Sequence, residues 1–322
     1  MFVEMRLIAS LQEFFYFCIE KCLEMIDLTN CNLCPHRCSV NREQGQLGFC
    51  HLDAGLHIAN ISLHTGEEPI DGSENGVCNV FFSHCNLRCV YCQNYQISQP
   101  QSVVKHEITD YETVVNQIVA ILQKNVNFLG FVSPTSHIPH MLKIIDMVQK
   151  HGFSPKIIYN TNGYENVETL RLLEGIVDIY LPDFKYADDE LAQRLSGIPN
   201  YTETALAAIG EMYRQKKSVL NDENSALIIR HLVLPNHVDN SLNVLNLLAK
   251  EISTDVFVSL MSQYFPVYKA MEIRDINRTL SNTEYDSVLE KLDDLWFERG
   301  WTQQLDSNDY YQPDFDKGNP FL

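Results

Sequence analysis

The run Ser83-His84-Cys85-Asn86-Leu87-Arg88-Cys89-Val90-Tyr91-Cys92-Gln93-Asn94 decides how the rest of this chain is read. It sets three thiols in one short loop, with three residues between the first pair and two between the second. Cubane iron–sulfur clusters take a cysteine thiolate on each of their four irons, so three thiolates leave one iron open to a ligand from outside the protein. Such a loop is a reactive site rather than a sealed structural one. Val77-Cys78-Asn79-Val80-Phe81-Phe82 is a strand-like run that leads straight into the loop, and a barrel-like pattern follows it. That setting argues against a zinc knuckle or unrelated thiols.

Beyond Gly76, apolar strand-like runs alternate with helical ones, the signature of βα units around a parallel sheet. The pattern predicts strands at Val77–Phe82, Phe128–Ser133, Lys156–Asn160, Val177–Leu181, Ala226–Leu234 and Val256–Met261. Helices are expected near Asp110–Lys124, Pro139–His151, Val167–Glu174, Asp188–Leu195, Thr202–Lys216 and Asn240–Ile252. Six units suit an α/β fold of the partial (β/α)6, TIM-like kind better than a closed eightfold barrel. The expected division is an N-terminal helix or leader at 1–28, a loop-dominated Cys-rich module at 29–72, the barrel at 73–270, and a C-terminal helix with an acidic tail at 271–322. The last helix, about Asn282–Glu298, is expected to start with an Asn cap.

Composition narrows the partners. A net charge of −18 argues against wrapping a nucleic-acid backbone or resting on an anionic membrane. Ten acidic and three basic residues from Glu284 to Leu322 read as a solvated surface. Of ten cysteines, seven fall into two clusters with metal-ligand spacing, which favours a reducing interior and a cytoplasmic protein over a disulfide scaffold. The apolar run Phe14-Phe15-Tyr16-Phe17-Cys18-Ile19 is bracketed by Glu13 and Glu20, too short and too charged for a membrane span. The second thiol cluster is Cys31, Cys34, Cys38 and Cys50, suited either to tetrahedral zinc or to an auxiliary iron–sulfur cluster, with His36 and His51 as alternative ligands.

Chemistry in parallel barrels gathers where the C-terminal strand ends converge. The polar clusters here fall at those ends: Ser133-Pro134-Thr135, Asn160-Thr161-Asn162-Gly163, Asp183-Phe184-Lys185, Arg230-His231 and Gln263-Tyr264. Adjacent strand residues point to opposite faces, so at most one of Arg230 and His231 faces the mouth.

The cluster loop, with Tyr91 as the aromatic before its third cysteine, resembles that of the radical S-adenosylmethionine enzymes. From roughly His64 to Pro266 the chain is similar to the pyruvate formate-lyase activating enzyme-like group within them, through His64-Thr65-Gly66-Glu67-Glu68-Pro69, the cluster loop with Tyr95, and the strand-end motifs above including Ser262-Gln263-Tyr264. The resemblance implies a 4Fe-4S cluster on Cys85, Cys89 and Cys92 that cleaves bound S-adenosylmethionine reductively, giving a 5′-deoxyadenosyl radical that abstracts hydrogen. It implies adenine near the backbone of Tyr91 and the methionine amino group near Ser133, Pro134 and Thr135. The methionine carboxylate would lie near Asn160, Thr161, Asn162 and Asp183, with either a monovalent cation or Lys185 pairing with it. It also implies a one-electron donor such as flavodoxin or ferredoxin, and a protein or small-molecule substrate.

Two departures from the group stand out. Its activating enzymes carry Gly-Gly-Glu where this chain has Ser133-Pro134-Thr135, and the Cys31/Cys34/Cys38/Cys50 set precedes the barrel. Three roles follow: a radical enzyme acting on another protein or a small molecule, an activase of a glycyl radical enzyme, or a non-catalytic metal-bound interaction protein.

Overall fold

The computed structural model describes residues 18–66, 68, 73–216, 226–305, 307 and 312–321. Glu67 and Pro69 of the motif after His64, and the N-terminal stretch through Phe17, lie outside them. One eight-stranded sheet organises the molecule, its strands in chain order from β1 to β8. Strands β2 (Val77–Phe82), β3 (Phe128–Val132), β4 (Lys156–Thr161), β5 (Ile179–Pro182), β6 (Ala226–Leu232) and β7 (Phe257–Met261) run parallel, as the six-unit reading requires. Two strands were not expected. Strand β1 (Ile58–His64) adds antiparallel to β2, inside the stretch read as loops, and the three-residue β8 (Gly300–Thr302) adds parallel to β7. The sheet is therefore open, with β1 and β8 as its edges.

The helices are α1 (residues 18–25), α2 (Tyr95–Ser98), α3 (Tyr111–Leu122), α4 (Ile138–Lys150), α5 (Val167–Leu172), α6 (Asp189–Ser196), α7 (Tyr201–Lys216), α8 (Val238–Leu247) and α9 (Asn282–Asp294). Their ends follow capping chemistry. Asp110 accepts from the backbone of Glu112 and Thr113 to start α3, and Asp188 does the same for α6, which stops at Gly197 with φ 73°. Helix α9 begins with a Ser281–Glu284 capping box, so Ser281 and not Asn282 is its cap. The expected helix over Asn240–Ile252 ends at Leu247 and closes in one π-type turn. Helix α1 belongs to the fold: Ile19 and Cys22 are buried, and the Cys22 thiol donates to the Leu172 carbonyl at 2.8 Å. No helix among the described residues is long and apolar enough to cross a membrane.

Strand alternation sorts the sheet into two faces. One carries Val80, Phe82, Leu129, Phe131, Ile157, Tyr159, Ile229, Val258 and Leu260 into the main core with the helices. The opposite face begins with an apolar floor of Val77, Phe128, Ile158, Ile179, Ala226, Ile228 and Phe257. Further along β2, β4, β6 and β7 the same face turns polar, at Asn79, Asn160, Arg230 and Ser259, and just past β5 at Asp183. At Gly130 a Cβ would stand 2.1 Å from Asn79 Oδ1, so the missing side chain makes room for that buried amide between β2 and β3.

Candidate functional site

A cavity of about 340 Å³ opens above the apolar floor. Strand ends supply Phe81, Val132, Asn160, Asp183, Arg230, Ser259 and Met261 to its wall, all on the floor's face, while the loop between β2 and α2 supplies Cys85, Cys89, Tyr91 and Cys92. The three thiols thus share one cavity with the strand-end polar groups. Cys78, one step out of phase on β2, is fully buried against the helices and does not reach it.

Each sulfur of the loop faces a donor. Cys85 Sγ accepts from Leu87 N–H and Asn162 Nδ2, both at 3.4 Å; Cys89 Sγ accepts from Ser196 Oγ at 3.0 Å; Cys92 Sγ lies 3.3 Å from Ser98 Oγ. Burial pushes the Cys85 thiol up to about 11 and that of Cys92 up to about 12. A thiolate here would therefore need a metal to displace the proton, and donors on every sulfur suit that charged form. Among the described residues no three His, Cys, Asp or Glu side chains gather closely enough to share one metal ion. A cubane needs no such convergence, because each thiolate takes a different iron.

The same cavity holds an ionic group near the thiols. Asp183 Oδ2 accepts from Lys185 Nζ at 2.6 Å and Asp183 Oδ1 from Arg230 Nε at 2.9 Å, while Arg230 also donates to Asn160 Oδ1 at 2.7 Å. Burial raises the Asp183 carboxyl, but the two cations outweigh it and hold the group below the usual carboxylate range. With two cations on one anion, this wall is suited to receive a further carboxylate. Arg230 is the member of the Arg230-His231 pair that faces the cavity. His231 is buried behind it, donating from Nδ1 to the Phe184 carbonyl at 2.7 Å and accepting at Nε2 from Ser241.

The other anticipated residues divide. Ser133, Asn160, Thr161 and Asn162 line the cavity, as do His64, Gly66 and Glu68, whereas Pro134 and Thr135 do not. Thr135 Oγ1 turns inward to Glu165 Oε1 at 2.6 Å, joined there by Thr161 Oγ1 and by Tyr159 OH at 3.2 Å. Glu165 is buried, and burial pushes its carboxyl up to about 7 despite these three donors. Ser133 adopts φ 55°, in the left-handed region that favours glycine. Gly163 needs its freedom twice over: its φ is 80°, and a Cβ would meet the Asp183 carbonyl at 2.4 Å.

Sequence reasoning missed the cavity's far wall. Trp301 and Gln303, in and just beyond β8, line it, and Gln303 Nε2 donates to Gln263 Oε1 at 2.7 Å. The tail read as solvated surface also contributes: Phe315 and Phe321 pack on Phe81, and Gln96 holds Asp314 and the Phe315 N–H. An aromatic-rich tail was visible in sequence, but nothing there indicated what it covers.

The second thiol set, Cys31, Cys34, Cys38 and Cys50, walls one small cavity of about 10 Å³. This module grips the cluster loop directly. His36 Nε2 donates to the Asn86 carbonyl at 2.9 Å, Arg88 donates to the Phe49 carbonyl at 3.3 Å, and its guanidinium lies 3.9 Å from the Phe49 ring centroid.

The family model described as Radical SAM superfamily matches residues 79–260. A protein of Methanocaldococcus jannaschii named Uncharacterized protein MJ0674 is 36% identical over 268 residues, covering 81% of this chain and 73% of its own. Among solved structures, a radical SAM methyltransferase from Sphaerobacter thermophilus is similar at TM-score 0.47 and 13% identity, over 70% of this chain and 66% of that one. A domain of pyruvate-formate lyase-activating enzyme from Bacteroides vulgatus is similar at TM-score 0.38 and 17% identity, over 52% and 91%.

Proposed function

Because this chain belongs to the radical SAM superfamily, we propose that Cys85, Cys89 and Cys92 hold its 4Fe-4S cluster and that the polar wall facing them binds S-adenosylmethionine. The observation that carries this is the three loop thiols, each with a hydrogen-bond donor, opening onto one cavity with the Asp183–Lys185–Arg230 group. When bound, the reduced cluster and S-adenosylmethionine supply a 5′-deoxyadenosyl radical for hydrogen abstraction from a protein segment or small molecule.

The chain's own residues divide the remaining work. Lys185 and Arg230 attract the methionine carboxylate, with Asp183 holding both cations in place. Both Asp183 oxygens already accept from a cation, so Lys185 rather than a monovalent ion takes the pairing role. Asn162 supports both the thiol of Cys85 and the loop, donating to Asn86 Oδ1 at 2.7 Å. Asn160, Thr161 and Asn162 flank the carboxylate, Ser133 faces the amino group, and the backbone of Tyr91 borders the adenine. The Phe315 and Phe321 cover over Phe81 limits water at the mouth, as radical chemistry requires. The Cys31/Cys34/Cys38/Cys50 set, which does not converge on one ion in this structure, suits an auxiliary cluster as it stands and zinc only if the thiols close in, and through His36 and Arg88 its module braces the loop. A cytoplasmic setting and a flavodoxin- or ferredoxin-type donor complete the reading.

Anaerobically reconstituted protein should yield 5′-deoxyadenosine on reduction with S-adenosylmethionine, and Cys89→Ala should not; equal yields refute the proposal. Metal content of Cys34→Ala separates the options for the second site, a loss of about four irons marking a cluster and of one zinc a structural ion. A glycyl radical appearing on a partner protein only with this enzyme would assign it as an activase.

A further inference from the structure

One thiol of the cluster loop is served differently from the others. Cys89 Sγ accepts from Ser196 Oγ at 3.0 Å, Ser196 Oγ lies 2.7 Å from Tyr186 OH, and Tyr186 OH lies 2.6 Å from Tyr91 OH. Each hydroxyl has one proton, so counting protons sets the direction. A thiolate at Cys89 can only accept, so the Ser196 proton is spent on it; Tyr186 must then donate to Ser196, and Tyr91 to Tyr186. All three residues are buried, away from competing water. Hydrogen bonds chained this way polarise one another and strengthen the last one, here the bond to sulfur.

The chain is held rigidly from the same helix end. Arg88 N–H donates to the Ser196 carbonyl at 3.1 Å and Val90 N–H to the Leu195 carbonyl at 2.8 Å, so the C-terminus of α6 grips the backbone on both sides of Cys89 while Ser196 reaches its sulfur. Hydrogen bonds to cysteine sulfur favour the more negative, reduced state of an iron–sulfur cluster. We infer that the Tyr91–Tyr186–Ser196 hydroxyl chain tunes the cluster's reduction potential through Cys89, raising it so that a cellular donor can reduce it. Ser196 is thus a positioning and tuning residue, 107 positions from the thiol it serves. The inference rests on the cluster assignment made above.

The test is a reductive titration followed by the EPR signal of the reduced cluster, on the reconstituted full chain. Ser196→Ala should lower the ratio of reduced to oxidised cluster about tenfold at the wild-type midpoint, equivalent to a shift of about 59 mV to more negative potential. Ser196→Thr, which keeps a hydroxyl, should restore most of it, and Tyr186→Phe should shift in the same direction by less. A Ser196→Ala protein loaded with wild-type iron and titrating at the wild-type midpoint overturns the inference, as does a Ser196→Thr shift equal to that of alanine. Where Ser196→Ala fails to load, a wild-type midpoint in Tyr186→Phe overturns it. A wild-type chain that takes up no iron sinks the cluster assignment instead.

Discussion

Neutralising Asp183 is the sharpest perturbation available at the cavity wall. Its two oxygens are committed to Lys185 Nζ at 2.6 Å and Arg230 Nε at 2.9 Å, and the three side chains retain only 14–16% exposure. Asp183→Asn keeps the shape but leaves two cations facing each other without their shared anion. Removing one partner from a buried ion pair costs about 3–5 kcal/mol, and the residual exposure places this case near 3 kcal/mol. Urea unfolding of the metal-free protein should show a lower midpoint with an unchanged slope, which reports stability rather than a change in surface exposed. In Asp183→Asn/Lys185→Met one cation is gone as well, so about 2 kcal/mol of the loss should return, a non-additivity expected only for groups in contact. A loss below about 1 kcal/mol in the single variant, or a double variant no more stable than the single, would refute the charge argument. The carboxyl titrates below its ordinary range, so this contribution is present above that range and disappears as pH falls below about 4.

Three further outcomes follow from the same reasoning. His57 bridges Glu107 and Asp53 at 2.9 Å each, and its hydrogen bond to Glu107 does most to lift it to about 8. A raised histidine stabilises fully below its unfolded value near 6.5 and loses that contribution as pH passes 8, so wild type should lose on the order of 1 kcal/mol relative to His57→Gln between pH 6 and pH 9 in urea unfolding. Glu165 is raised by burial to about 7, so its cost appears as pH climbs from the unfolded carboxyl value through 7. Glu165→Gln should remove that slope and gain up to about 3 kcal/mol at pH 8, and an unchanged pH profile would refute it. Gly163→Ala must either shift the Asp183 carbonyl or abandon φ 80°, and should cost about 2–3 kcal/mol in thermal or urea unfolding together with weaker S-adenosylmethionine binding; wild-type affinity would refute the close approach.

What sequence made legible, and what it did not, divides by physical cause. Strands β2 to β7 are largely buried on both faces, so each writes a mostly apolar run such as Val77–Phe82 that stands out between helical patterns. Strand β1 is only partly buried along Ile58–His64, which blurs its alternation within a stretch already rich in turn formers. Strand β8 is three residues long and exists because Gly300, with φ 123°, lets its backbone approach Val258 where a Cβ would stand 1.9 Å from the carbonyl oxygen. No periodicity encodes that contact.

The site divides in the same way. Asn160, Asp183 and Arg230 were readable because strand alternation and the convergence of strand ends are properties of the fold class; Ile158, Leu181 and Ile228, two residues earlier on each strand, sit in the apolar floor beneath them. Turns carry no such rule, so Ser133 reaches the cavity while Thr135, two residues on, points into the Glu165 carboxyl. Ser196 lies beyond any sequence rule, since only the docking of α6 on the loop between β2 and α2 brings its hydroxyl to Cys89. Spacing therefore announced which thiols belong together, whereas the groups that set their electronic properties come from helix packing and become visible only once the chain is folded.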